Sequence, residues 1–283
     1  MVMIKLENVN FAYPKRTPIF SDLNLELLGG HIYGLLGKNG EGKTTLMKLM
    51  SGLLFAQSGD IETLGVAAYR RLPKMLADIY FLSEEMYAPA VSIDDFVRIY
   101  APFYPNFNNE QFDRYLAEFE MTDKRQKMSK MSHGQKKKVL ISFALATNTK
   151  IIFMDEPTNG LDIPSKSMFR KVMASAATDD RLFLISTHQV RDLHSLIDSI
   201  LILDHGEMVL NASTDEITEK LLFKVVDNED EAKDALYTED TLRGIYAVFE
   251  NREHADSKLD IELLFNAVAC NKSQIKSIFN LKK

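Results

Sequence analysis

Residues 37–44, GKNGEGKT, have the residue types and the spacing that are needed to bind a polyphosphate. The three glycines let backbone N–H groups approach phosphate oxygens closely, and a helix starting near Lys43 points the positive end of its dipole at the same anion. In such a loop Lys43 bridges the β- and γ-phosphates, and the Thr44 hydroxyl holds Mg²⁺. The apolar run before the loop and the helical pattern after it favour a nucleotide-binding loop over a chance cluster of glycines.

A pair of carboxylates at the end of an apolar run could complete a nucleotide-hydrolysing site. The run KIIFMDEP at 150–157 is typical of a buried strand, and it ends in Asp155 and Glu156. Hydrolysis needs an anion beside the metal, which suits Asp155, and a group that polarises water, which suits Glu156. Taken alone, the pair could instead begin a helix and merely complement its dipole. The phosphate-binding pattern upstream favours the catalytic interpretation.

The elements that must position these residues alternate between strand and helix patterns. The first 35 residues predict strands, and residues 86–130 carry helical spacing that predicts a mostly helical insertion. Short, continuous apolar runs, KIIFMDE and RLFLIS, indicate strands that are buried on both faces of a parallel sheet. A later segment predicts a hairpin that turns at His205 and Gly206. The pattern therefore predicts an α/β fold.

The composition is that of an ordinary globular chain of 283 residues. Hydrophobic residues at 46% and charged residues at 26% exclude wholesale disorder, and the net charge of −6 argues against a polyanion-binding surface over the whole molecule. The one cysteine, Cys270, favours a reducing compartment. Apolar stretches fall well short of a membrane span, so we expect this chain not to cross a bilayer by itself.

Two units are expected along the chain. Most of the excess negative charge lies beyond about residue 215, where mixed strand and helix signals also begin anew. We therefore predict a nucleotide-binding domain at 1–214 and a small α+β extension at 215–283.

Further motifs follow in an order that resembles one protein family. MSHGQ at 131–135, NGLD at 159–162 and STH at 186–188 resemble the signature sequence, D-loop and switch histidine of the nucleotide-binding subunits of ATP-binding cassette (ABC) transporters. The resemblance covers residues 1 to about 214. It implies a P-loop NTPase core of ABC type, with an N-terminal antiparallel β-subdomain, a helical insertion at about 86–130 and a small C-terminal α+β extension.

The resemblance also assigns roles to single residues. Catalysis falls to Glu156, His188 and Lys43, and the Mg²⁺ ligands are Thr44, Asp155 and Glu84. Contacts to ATP are expected from an aromatic residue near the N-terminus, the phosphate loop, the signature sequence and the D-loop: Tyr13, Gly37, Lys38, Asn39, Gly40, Glu41, Gly42, Lys43, Thr44, Thr45, Ser132, Gly134, Gln135 and Asp162.

The signature sequence also has a physical interpretation of its own. Ser132 can cap a helix whose N-terminus, with Gly134 exposing backbone N–H groups, forms a second anion site. In the family this half-site closes on ATP that is held by the phosphate loop of another subunit. The resemblance therefore implies a head-to-tail dimer with two ATP molecules between the subunits, and most simply a homodimer.

The sequence departs from the family at three positions. Glu84 stands where the family has a glutamine that contacts Mg²⁺, and the alternative is a solvated loop carboxylate. A third carboxylate, beside those of Asp155 and Glu156, should increase the need for bound metal. His133 and Met131 replace a glycine and a leucine of the common signature.

Several assignments have alternatives that the sequence leaves open. His188 could be an ordinary strand end, and Tyr13 could serve core packing. The lysines at 136–138 are expected on a solvated helix face, and the alternative is that they help to attract nucleotide. An aromatic-rich segment at 80–107 could receive a helix of a membrane subunit or could pack into the core: Tyr80, Phe81, Tyr87, Phe96, Tyr100, Phe103, Tyr104 and Phe107.

The function implied by the resemblance is an ATPase subunit, peripheral on the inner face of the cell membrane, that drives a separate permease and most resembles exporter-type bacterial members. One alternative is an ABC ATPase that acts on ribosomes or DNA, but the chain has no sustained heptads and no overall basic charge. Another is a nucleotide sensor with negligible turnover, against which the presence of both Glu156 and His188 argues.

Overall fold

The structure is a computed structural model that describes residues 1–86, 88–188, 194–242 and 244–279. Three β-sheets organise this part of the chain. The strands in chain order are β1 Val2–Phe11, β2 Phe20–Leu28, β3 Ile32–Leu36, β4 Ser58–Thr63, β5 Val66–Ala67, β6 Ile79–Leu82, β7 Ile151–Asp155, β8 Leu182–Thr187, β9 Ser199–Asp204, β10 Glu207–Ser213, β11 Leu221–Val226, β12 Tyr237–Thr241 and β13 Gly244–Glu250.

The helices lie between these strands and after the last of them. They are α1 Lys43–Met50, α2 Pro73–Leu76, α3 Ile93–Tyr100, α4 Asn109–Glu118, α5 His133–Ala146, α6 Ile163–Ala176, α7 Thr214–Lys220, α8 Ile261–Cys270 and α9 Lys272–Ile278. The predicted helical insertion at about 86–130 contains α3, α4 and short 3₁₀ turns.

The central sheet has six strands in the order β10-β9-β3-β8-β7-β6. All neighbours in it are parallel except β10, which returns antiparallel to β9. The predicted hairpin turn is present, with φ of 50° at His205 and 77° at Gly206. Because the strands are parallel, the carboxyl ends of β3, β7 and β8 meet at one edge, where α/β sheets bind ligands.

Hydrophobic residues cover both faces of the central sheet, as the continuous apolar runs predict. In β8, Phe183 and Ile185 belong to one buried cluster, while Leu182 and Leu184 belong to the other. The second cluster also contains the apolar residues of α1 and of an antiparallel sheet ordered β2-β1-β4-β5. This sheet is the expected N-terminal β-subdomain.

Most described members of the aromatic-rich segment pack inward around Phe143 of α5. The ring centroids of Phe96, Phe107 and Tyr80 lie 5.0, 4.9 and 5.9 Å from that of Phe143. These side chains therefore pack into the core, whereas the side chain of Phe103 is exposed, at 67%. Tyr87 lies outside the described residues.

The C-terminal unit contains a three-stranded antiparallel sheet, ordered β11-β13-β12, with α8 and α9. Ion pairs join α9 to the β9–β10 hairpin: Lys276 lies 2.6 Å from Glu207, and Lys272 pairs with Asp204. The division of the chain at residue 215 stays a prediction. No helix in the described ranges is long and apolar enough to cross a membrane.

The buried guanidinium of Arg181 joins the ends of several elements. It is 6% exposed and donates to the carbonyls of Thr149, Ala176 and Leu145 at 3.0, 2.9 and 3.3 Å. Its Cζ also lies 5.0 Å from the centroid of the Phe183 ring. The Thr149 carbonyl lies just before β7, that of Ala176 ends α6, and that of Leu145 is in the last turn of α5. This one side chain therefore holds three segments of the chain together.

We predict that Arg181→Met lowers the free energy of unfolding by about 3 kcal/mol, because it removes three hydrogen bonds to backbone carbonyls while keeping an apolar stem. Urea unfolding followed by circular dichroism measures the change. Arg98→Met, at a side chain that is 79% exposed and paired only at the surface with Asp95, is the control and should change stability by less than about 0.5 kcal/mol. Equal losses in the two variants would contradict the assignment.

Candidate nucleotide-binding site

The glycine-rich loop lies between β3 and α1, at the carboxyl edge of the central sheet. Gly42 caps α1 with φ of +103°, and a Cβ there would lie 2.7 Å from Ile19 Cγ2. A Cβ on Gly37 would lie 2.6 Å from the Leu203 carbonyl oxygen. Glycine is therefore required at both ends of this loop for conformational and steric reasons.

Lys43 is folded back across its own loop. Its ammonium donates to the carbonyls of Gly37 and Lys38 at 2.7 and 3.1 Å, and the residue is only 7% exposed. Burial lowers the pKa of Lys43, while the nearby carboxylates of Glu156 and Asp155 oppose that change. The loop itself therefore holds the Lys43 cation close to the carboxylate pair.

Asp155 connects three elements through short hydrogen bonds. One carboxylate oxygen accepts from Thr44 Oγ1 at 2.6 Å, and the other accepts from Ser186 Oγ at 2.5 Å. The residue ends β7, is 3% exposed and is paired in register with Ser186 of β8. The structure therefore brings the motifs at 37–44, 150–157 and 186–188 together.

Glu156 follows directly in an unusual backbone conformation, with φ of +46°. Its Oε1 lies 2.8 Å from Nδ1 of His188. Its Oε2 is buried and has no hydrogen-bond partner among the described residues. A buried carboxylate oxygen without a donor is costly, and functional sites are where such a cost is found. The geometry leaves this oxygen available to a water molecule or a metal ion.

The oxygen donors gathered here suit Mg²⁺, a hard cation that prefers carboxylate, hydroxyl and phosphate oxygens. Thr44 and Asp155 offer a hydroxyl and a carboxylate in direct contact, and the bare Glu156 Oε2 lies on the next residue. The donor set therefore fits this cofactor.

Glu84 reaches the same region from the loop after β6. Its Oε1 accepts a hydrogen bond from Asn159 Nδ2 at 3.0 Å, although the side chain is exposed. Its charge also acts on both Lys43 and Lys137. The structure thus places Glu84 near the carboxylate pair, and its role as a metal or water ligand stays a prediction.

The signature sequence begins α5 with a reciprocal capping box. Ser132 Oγ accepts from the Gln135 N–H at 3.2 Å, and the Gln135 side chain accepts from the Ser132 N–H at 2.9 Å. A Cβ on Gly134 would lie 3.0 Å from the Gly160 carbonyl oxygen, so this helix start packs closely on the D-loop. Ser132 and His133 are exposed, whereas Met131 is buried.

Asp162 caps the next helix, α6, by accepting from the Ser165 N–H at 2.8 Å. This hydrogen bonding holds the pKa of Asp162 below its usual value. The neighbouring Ile163 is 85% exposed. An exposed apolar residue beside an exposed cap is consistent with a surface that meets a partner.

The remaining predicted contact residues surround the phosphate loop. Tyr13 donates to or accepts from Thr45 Oγ1 at 3.2 Å, and its ring packs edge-on against Phe11 at 5.1 Å. Glu41 Oε2 accepts from the His205 N–H at 2.5 Å, which joins the loop to the β9–β10 turn. Lys38, Asn39 and Gly40 are exposed, whereas Thr45 is 6% exposed.

Lys137 contradicts the expectation of a solvated lysine face at 136–138. It is 0% exposed, and its ammonium donates to the carbonyls of Glu156 and Asn159, each at 2.8 Å. Helical spacing could have shown this, because Lys137 precedes the buried Ile141 by four residues. Ser186 was also missed as a site residue, although it is the first residue of the STH motif.

Comparison with known proteins identifies the family. A family model described as "ABC transporter" matches residues 20–159. The "Putative ABC transporter ATP-binding protein sll0385" of Synechocystis is 30% identical over 223 residues, which are 76% of this chain and 76% of that protein. This chain belongs to the ABC transporter ATP-binding proteins. It is therefore an ATPase subunit that energises transport.

Two further similarities agree with this membership. The "Lantibiotic transport ATP-binding protein SrtF" of Streptococcus pyogenes is 28% identical over 221 residues, which are 75% of this chain and 92% of that protein. A solved structure titled "Structure of ATP binding subunit of ABC transporter" superposes with a TM-score of 0.68 and 22% identity, covering 76% of this chain and 91% of that one. The predicted ABC-type α/β fold is confirmed.

We predict that Glu84→Gln raises the Mg²⁺ concentration for half-maximal ATPase activity by about tenfold, because it removes a negative charge near the metal. The amide oxygen still accepts from Asn159, so the loop contact is kept. Steady-state phosphate release at varied Mg²⁺ measures the effect.

Glu85→Gln is the matched control, since Glu85 is an exposed neighbour on the same loop. It should leave the Mg²⁺ dependence as in the wild type. An unchanged dependence in Glu84→Gln would instead identify Glu84 as a solvated loop acid.

Proposed function

We propose that this ABC ATPase hydrolyses ATP at the carboxyl end of β7, with Glu156 as the base that accepts the proton of the attacking water. The observation that carries the proposal is the buried Glu156 Oε2, which has no donor among the described residues and lies one residue after Asp155. His188 contacts the other oxygen, Oε1, at 2.8 Å and so orients the carboxylate.

The other site residues bind ATP and Mg²⁺ and neutralise the charge of the phosphates. Lys43 and the N–H groups of the loop at 37–44 hold the phosphates, and Tyr13 stacks on the adenine. Thr44, Asp155 and Glu84 hold Mg²⁺, which when bound neutralises the charge on the phosphate oxygens. Attack of water on the γ-phosphorus breaks the bond to the β-phosphate oxygen and yields ADP and phosphate, while the water proton passes to Glu156.

We also propose that two copies of this chain dimerise head-to-tail around ATP. Support comes from the α5 N-terminus, where exposed Ser132 precedes the first N–H groups of the helix, and from exposed Asp162 and Ile163 at the start of α6. Ser132, Gly134 and Gln135 of one subunit would face the γ-phosphate held by the other. ATP binding then favours the closed pair, and hydrolysis reopens it.

This motion drives a separate membrane permease at the inner face of the cell membrane, and we propose export as its direction. The streptococcal relative, a lantibiotic transport ATP-binding protein, supports this proposal. The exposed side chains of Phe103 and of Ile99, which precedes it by four residues and is 48% exposed, offer apolar surface on the helical insertion to that permease.

We predict that Glu156→Gln lowers the rate of ATP hydrolysis by about 1000-fold, because the amide cannot accept the water proton. The same variant should still bind ATP and should accumulate as an ATP-dependent dimer. Phosphate release and size-exclusion chromatography with light scattering measure these two properties. Wild-type turnover in Glu156→Gln would remove Glu156 from catalysis, and negligible turnover in the wild type would indicate a nucleotide sensor.

We predict that Phe103→Glu reduces recovery of the permease when a tagged chain is purified from its native membranes, because a charge replaces an exposed apolar contact. Leu242→Glu is the control, since Leu242 is also an exposed apolar residue but lies in the C-terminal unit. Equal permease recovery in the wild type and both variants would argue against this docking surface.

A further inference from the structure

Lys137 is a cation buried within the ATPase machinery without facing any predicted phosphate position. It lies on α5, five residues after Ser132, and is 0% exposed. Its ammonium donates to two backbone carbonyls, those of Glu156 and Asn159, at 2.8 Å each. Burying an ammonium is costly, so these hydrogen bonds must offset a substantial desolvation penalty.

The first carbonyl belongs to the residue whose side chain is the proposed base. Glu156 has φ of +46°, a conformation that costs a non-glycine residue about 1 kcal/mol or more unless its surroundings hold it. Its N–H is bound by the Ser186 backbone oxygen at 3.2 Å and by Ser186 Oγ at 3.1 Å. Lys137 binds its carbonyl. The backbone of Glu156 is therefore fixed on both sides.

The second carbonyl extends the same contact into the D-loop. Asn159 closes a turn by donating its N–H to the Glu156 carbonyl at 3.2 Å, and its side chain donates to Glu84. The next residue, Gly160, lies against Gly134 at the start of α5. Lys137 thus joins the helix that begins with the signature sequence to the turn at 156–160.

We propose that Lys137 is a positioning residue for ATP hydrolysis, which holds the turn at 156–159 on α5 so that the Glu156 carboxylate stays oriented towards His188. The inference rests on the proposed role of Glu156. Burial is the main cause that lowers the pKa of Lys137, and the carboxylates of Glu84, Glu156 and Asp155 oppose it, which agrees with a cation placed inside this acidic cluster.

The test compares Lys137→Met, which keeps the length of the side chain but cannot donate, with Lys136→Met on a partly exposed neighbour. We expect Lys137→Met to lower kcat about 30-fold, since small misplacements of catalytic groups cost up to about 100-fold. The KM for ATP and the Kd of a fluorescent ATP analogue should stay within about twofold, because no ATP contact is removed. Lys136→Met should leave all three unchanged.

A double variant separates this inference from the role of Glu156. If Lys137 acts through Glu156, Lys137→Met should not further reduce the residual turnover of Glu156→Gln in single-turnover assays. Wild-type turnover in Glu156→Gln alone would overturn the proposed base and, with it, the proposed action of Lys137 through Glu156.

Three results would overturn the Lys137 proposal itself. One is a wild-type kcat in Lys137→Met. Another is a rise of KM and Kd that accounts for its loss of activity. The third is failure of both Lys137→Met and the shorter, donor-bearing Lys137→Gln to fold, judged by thermal unfolding, which would make Lys137 a residue for stability alone.

Discussion

The site depends on the mutual compensation of four charged side chains that are nearly buried at one edge of the central sheet. Lys43, Lys137, Asp155 and Glu156 are 7%, 0%, 3% and 5% exposed. Each would be costly to bury alone, because desolvation of an isolated charge exceeds what folding can offset. Asp155 accepts hydrogen bonds from Thr44 and Ser186, and Lys137 donates to two carbonyls. These hydrogen bonds offset part of the desolvation cost. Among the side-chain atoms of these four residues, Glu156 Oε2 is the one that has no donor among the described residues, and it is therefore the atom available to a reacting water.

Sequence patterns predicted this edge of the sheet well, because each motif reflects a requirement of the backbone path or of burial there. The glycines of 37–44 are needed where the loop meets Leu203 and Ile19, so their spacing fixes a backbone path as well as a ligand. The apolar runs before Asp155 and Ser186 predicted buried parallel strands, and parallel strands place their carboxyl ends together. The helical insertion, the hairpin at His205 and the cap at Ser132 follow from equally local patterns.

Long-range packing was less predictable. Three consecutive lysines suggested a solvated face, but the position of α5 against the turn at 156–160 decides that the middle one is buried. The aromatic residues at 80–107 suggested a docking surface, yet most of those described pack on Phe143, which lies far along the chain. In both cases the deciding partner is distant in sequence, and composition alone carries no information about it.

In the proposed dimer, ATP is held between the phosphate loop of one subunit and the α5 N-terminus of another. Because Cys270 is the only cysteine, a Cys270→Ser chain can carry Asn39→Cys and Ser132→Cys as a defined pair on two exposed positions. With Glu156→Gln to prevent hydrolysis, mild oxidation in the presence of ATP and Mg²⁺ should give a disulfide-linked dimer that either cysteine alone does not give. Monomer as the only product of the paired variant, at saturating ATP, would contradict the account.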